Sequence, residues 1–165
     1  MKPYRPPRQL LDDIKRLLAT NQPSFHHSPL EDVIELLYGG RHYSWVGIYL
    51  TAGENTQQLL DSGGDTPAEV ALPQTRSKIL ISMKLASREL GVLSVESERE
   101  NAFGAEDRVL LEGVADVLAR FLAGPGKYLA RKARQVTFPS MPKPQARATQ
   151  SSSAKPLRSA AAGDK

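Results

Sequence analysis

The sequence predicts a single α+β domain, in which a central antiparallel β-sheet carries N- and C-terminal helices packed on one face. Three observations lead there. Apolar residues recur at helical spacing near both ends of residues 8–123, and they alternate with period two in four stretches between. Those four stretches fall into two pairs joined by short turns, which favours hairpins over parallel crossovers.

The first helix is marked by Leu10, Leu11, Ile14, Leu17 and Leu18, with Asp12, Asp13, Lys15 and Arg16 between them. Pro7 opens it and Asn21-Gln22-Pro23 closes it. A second helix begins at Ser28-Pro29-Leu30-Glu31: the serine can cap free N–H groups, proline suits the first turn, and the glutamate can reach back. Leu30, Val33, Ile34 and Leu37 form its apolar stripe, and Gly39-Gly40 ends it. From His42 to Leu50 the period becomes two, sending Tyr43, Trp45, Gly47 and Tyr49 one way and Ser44, Val46, Ile48 and Leu50 the other. A shorter strand over 57–61 pairs back as a hairpin, and 62–76 reads as a loop with two glycines and two prolines. Two more strands, 78–85 and 90–97, flank a turn at Ser87-Arg88-Glu89. The last long helix opens at Phe103-Gly104-Ala105-Glu106-Asp107, where acids suit the helix dipole, and Gly124-Pro125-Gly126 stops it. A short basic helix over 128–136 follows.

Composition narrows the chemistry. The 165 residues, 40% hydrophobic and 24% charged, suit one globular domain. There is no cysteine, which removes disulfides, thiolate metal sites, cysteine nucleophiles and thiol redox switching. No apolar run approaches the roughly 20 residues that span a bilayer, and the basic start leads into an amphipathic stretch, unlike a secretory signal. The expectation is a cytoplasmic protein with no membrane contact. The net charge of +4 is unevenly placed: from Lys127 onward nine Lys or Arg face one acid, leaving 13 bases against 17 acids before it. The chain therefore divides into an N-terminal extension (1–7), an acidic domain (8–123), a short basic segment (124–136), and a basic tail (137–165). That tail, rich in Pro, Ser and Ala, is too poor in large apolar groups to offset its ordering entropy.

Several stretches resemble one family. Ser44-Trp45-Val46-Gly47-Ile48-Tyr49-Leu50 looks like the first strand of a GAF domain, and Arg76-Ser77-Lys78-Ile79-Leu80-Ile81 looks like its central strand. Glu89-Leu90-Gly91-Val92-Leu93-Ser94-Val95-Glu96-Ser97, followed by Ala102-Phe103, Glu106-Asp107, Leu111, Val114-Ala115 and Leu118, is the most specific match. Among GAF domains the Trp-Val-Gly-Ile-Tyr strand is most similar to that of the free methionine-R-sulfoxide reductases. The resemblance implies a pocket on the sheet face opposite the terminal helices, with Trp45 and Tyr49 as an aromatic wall. It also implies that Ser94 and Glu96 stand where those enzymes hold substrate with acids. Three departures follow. The catalytic cysteines are missing, Lys78 and Ser94 replace acids, and residues 62–76 are short for a region that usually covers the pocket. The implied protein is a minimal, non-catalytic GAF-type sensory or regulatory module with no cofactor, binding a small ligand or a protein partner in signalling.

Each candidate residue carries a plainer reading beside the functional one. Trp45 and Tyr49 could grip an apolar or cationic group, or could only cover the sheet. Lys78, Ser94 and Glu96 read as pocket groups or as solvent-side positions of half-exposed strands, and the alternation favours solvent. His26, His27 and His42 show no metal-ligand spacing and read as surface residues. Glu106 and Asp107 read as helix caps, with no acid–base role. Leu10, Ile14, Leu17, Leu18 and Phe121 offer a stripe for homodimerisation, the alternative being that they cover their own sheet. Arg131, Lys132 and Arg134 begin a tail suited to weak, salt-dependent contact with nucleic acid or an acidic partner. Two further functions stay open: a dimerising scaffold with a basic tail, and a degenerate sulfoxide-reductase-like enzyme.

Overall fold

The computed structural model describes residues 3–20, 22, 26–52, 54, 56–65 and 75–135. The expected tail, 137–165, and residues 66–74 of the expected loop lie outside the described residues. Eight elements follow one another in the described chain: α1 (Pro7–Thr20), α2 (Pro29–Gly40), β1 (Trp45–Thr51), β2 (Gln57–Gly64), β3 (Ser77–Leu85), β4 (Arg88–Ser97), α3 (Ala105–Ala123) and α4 (Lys127–Gln135). Ser28 caps α2 as expected, its Oγ accepting the Leu30 N–H at 3.3 Å. The strands form one sheet in the order β2-β1-β4-β3, with every pair antiparallel.

One face of the sheet is apolar, and the helices cover it. Val46 and Ile48 of β1, Ile79, Ile81 and Met83 of β3, and Leu93 and Val95 of β4 form one buried cluster with the helical stripes. Each such side chain contributes about 1.5–3 kcal/mol by leaving water, so this face is the main stabilising element. Leu10, Ile14 and Leu18 of α1 and Phe121 of α3 belong to the same cluster, and Leu17 packs half-buried against it. The stripe singled out for homodimerisation is therefore occupied by the chain's own core.

The end of the core beside β1 is closed by a buried ionic centre. Arg41 donates from Nε and Nη2 to Asp107 Oδ1, at 3.2 and 2.6 Å, and the Tyr43 hydroxyl donates to the same oxygen at 2.7 Å. The Gly104 N–H donates to Asp107 Oδ2 at 3.2 Å, so the helix-capping role read from the sequence is present as well. Burial works against a charged Asp107. The bonds from Arg41, Tyr43 and Gly104 outweigh it and hold the carboxyl below the usual carboxylate range. Burial, reinforced by the bond to Asp107, pushes the Tyr43 phenol up. Tyr4 lies over the guanidinium of Arg41, 4.2 Å from it, and ties down the chain before α1.

Three sequence expectations are corrected. β1 begins at Trp45, not His42, because Tyr43 turns into the helix-side core to reach Asp107 instead of sharing a face with Trp45. β2 continues beyond Asp61 to Gly64. Gly64 pairs with Trp45 so closely that a Cβ there would sit 2.3 Å from the Ser44 carbonyl oxygen, so this glycine marks a tight strand contact, not a loop. The β3–β4 turn falls at Ala86-Ser87, and Arg88 already belongs to β4.

Candidate functional site

The sheet face opposite the helices carries the residues named from the sequence. Antiparallel register sets them in rungs across β1, β4 and β3: Trp45, Glu96 and Lys78 on one, Gly47, Ser94 and Leu80 on the next, Tyr49, Val92 and Ser82 on the third. The indole of Trp45 lies along its own strand over Gly47, where a Cβ would come within 2.2 Å of the ring. Its ring centre is 6.5 Å from that of Tyr49, the planes tilted by 51°. A glycine between the two aromatics is what lets the indole lie down on the sheet.

Burial on this face is uneven, and that corrects the solvent-side expectation for two of its residues. Ser94 and Glu96 are each only 1% exposed and Trp45 is 2% exposed, whereas Leu80, on the same rung as Ser94, is 60% exposed. Lys78 is exposed as expected, and Tyr49 is half-buried. Alternation on β4 alone could not reveal this, since both of its faces are covered: 91–97 are buried throughout.

Polar partners converge on Glu96. The Thr75 hydroxyl donates to its Oε2 at 2.6 Å, and Lys78 Nζ stands 3.4 Å from Oε1. Thr75 is a contributor that sequence reading missed, because it lies in a stretch that reads as loop. Among the described residues, Trp45 Nε1 and Ser94 Oγ are buried polar atoms with no hydrogen-bond partner. Buried polar groups are normally paired, and these two atoms stand on neighbouring rungs of the sheet. At the far end of the face, Glu89 accepts from Ser82 at 3.1 Å and from Thr51 at 3.4 Å.

The histidines lie elsewhere. His27 is held between Glu31, 3.1 Å from Nδ1, and Asp32, 2.7 Å from Nε2. The hydrogen bond to Asp32 is the main cause that raises its pKa. His42 Nε2 meets the Ala102 carbonyl oxygen at 2.5 Å. Among the described residues no group of three or more His, Asp or Glu side chains is arranged to hold a metal ion, and no helix is long and apolar enough to cross a membrane.

The chain matches no protein-family model and no curated protein sequence. Its architecture does have solved counterparts. The free methionine-R-sulfoxide reductase of Neisseria meningitidis, solved with its substrate, superposes with a TM-score of 0.61 at 19% identity, over 77% of this chain and 91% of that one. The corresponding reductase of Staphylococcus aureus, also with substrate, gives 0.60 at 18% identity, over 74% and 99%. The GAF domain of an Acinetobacter phosphoenolpyruvate-protein phosphotransferase gives 0.55 at 14% identity, over 74% and 96%. The fold is GAF-like. Enzymes and a domain of a phosphotransferase both appear among these neighbours, and identities this low carry the GAF-like architecture without carrying an activity.

Proposed function

We propose that this GAF-like chain is a non-catalytic regulatory module that takes a small molecule on the sheet face opposite its helices. The observation that carries the reading is the group formed by Trp45, Ser94 and Glu96: one aromatic and two polar side chains, removed from water on a face that the helical core does not need. Small-molecule sites usually combine an aromatic or apolar wall with a few placed polar groups, and this group has both kinds. The absence of cysteine supports a binding role, because the chain has no thiol to reduce a sulfoxide.

Native mass spectrometry of the protein purified from its own cells tests this. The expected result is a protein mass with a small bound molecule, released on denaturation and absent from a Trp45→Ala variant. A bare chain mass from gently handled wild-type protein would overturn the reading. Reductase assays with free methionine sulfoxide are expected to stay at background.

A second reading, association of two copies, is favoured by one feature. Between α1 and α3 lies a mainly apolar cleft of about 500 Å³ lined by Pro7, Leu11, Val109 and Leu110, with Arg8 and Glu106 also in its lining and Val109 67% exposed. Sedimentation velocity of wild type and Val109→Asp distinguishes this: a dimer that the substitution splits would support it, and a concentration-independent monomer would remove it.

A further inference from the structure

Resting on the reading of this face as a ligand site, we propose that the ligand buries an uncharged acceptor oxygen, of the carbonyl or amide kind, against the Trp45 indole N–H and the Ser94 hydroxyl. The chemistry of the two unpartnered atoms selects it. An indole nitrogen can only donate, so whatever completes it must present a lone pair. A serine hydroxyl can donate to the same group or to its neighbour. Because the indole lies over Gly47, whose β4 partner is Ser94, the two groups occupy adjoining positions on the sheet.

The charge pattern disfavours the ionic alternatives. Glu96 would be the natural partner of a ligand ammonium group, but Thr75 already donates to one of its oxygens and Lys78 stands beside the other. A ligand cation would have to displace Lys78 from a matched pair, at a cost in desolvation. An anion would bring a second negative group beside the buried Glu96, with Lys78 on the exposed side as its counter-charge. An uncharged acceptor satisfies the indole and the serine and leaves that pair intact.

The chain has one tryptophan, so ¹⁵N-labelled protein gives a single indole N–H resonance, and that resonance reports on this site directly. Three probes are titrated at matched ionic strength: N-methylacetamide, sodium acetate and methylammonium chloride. N-methylacetamide is expected to move the indole proton downfield in a saturable way, and Ser94→Ala to weaken that binding about 3- to 10-fold, the loss of one ordinary hydrogen bond. Acetate and methylammonium are expected to bind at least 10-fold more weakly. Saturable binding of either ion in preference to the amide would overturn the assigned ligand class and leave the site standing. Silence from all three probes while native spectra retain a bound molecule would also remove only the ligand class. Silence together with a bare native mass would remove the site as well.

Discussion

Replacing Asp107 with asparagine removes one charge from the centre where Arg41, Tyr43 and the N-terminus of α3 meet. The geometry sets the size of the effect. Arg41 and Asp107 are both almost wholly buried, and two guanidinium nitrogens reach one carboxyl oxygen. Asparagine keeps the shape and an acceptor for Tyr43, but it leaves the Arg41 cation buried without a counter-charge. Breaking one partner of a buried pair costs about 3–5 kcal/mol. With a urea dependence of about 1.5 kcal/mol/M for a domain of this size, the unfolding midpoint should fall by roughly 2–3 M, read by circular dichroism. The double variant Arg41→Met/Asp107→Asn should recover part of that loss, since neither charge is then left alone. The same centre makes stability depend on pH. The Asp107 carboxyl titrates lower in the folded chain than its unfolded value of about 3.9, so its contribution is present above pH 4 and is lost as pH falls further. That acid-labile component should be missing from Asp107→Asn. A midpoint shift below about 0.5 M, or an unchanged acid profile in the variant, would refute this view of the ionic centre.

Two further substitutions probe the sheet face. Gly47→Ala would place a Cβ within 2.2 Å of the Trp45 ring, so the indole must lift away from the sheet. A loss of about 1–3 kcal/mol is expected, with a red shift of tryptophan emission, and an unchanged spectrum would contradict the described ring position. Ser94→Ala removes a buried hydroxyl that has no partner among the described residues, so ligand-free protein should become more stable by up to about 1–2 kcal/mol. A clear loss of thermal stability in that variant would mean that the hydroxyl is already engaged.

The parts of the fold legible in sequence are those whose signals are local. The stripe of α1, the Ser28 cap of α2, and the inward alternation of Leu93 and Val95 all follow from periodicity or from one residue acting on the next turn. What escaped is long-range. Asp107 reads as a helix cap, and it is one, but its second oxygen is claimed by residues 64 and 66 positions away in sequence. No spacing rule announces such a partnership, and Arg41 gave no sign that it would be buried. From the sequence Ser94 and Glu96 read as solvent-side, because half-exposed strands usually alternate. Thr75 reaching Glu96 from outside β4 is a contact that β4 does not encode. Gly64 misled for a different reason: a glycine that permits close strand approach looks the same in sequence as a glycine that makes a loop.

A crystal structure of the protein purified from its own cells would test the binding face at its centre. The expected map shows a small molecule over Gly47, one oxygen within hydrogen-bond distance of both Trp45 Nε1 and Ser94 Oγ. Ordered water alone at both atoms, or the indole turned to bond a protein carbonyl, would contradict the proposal.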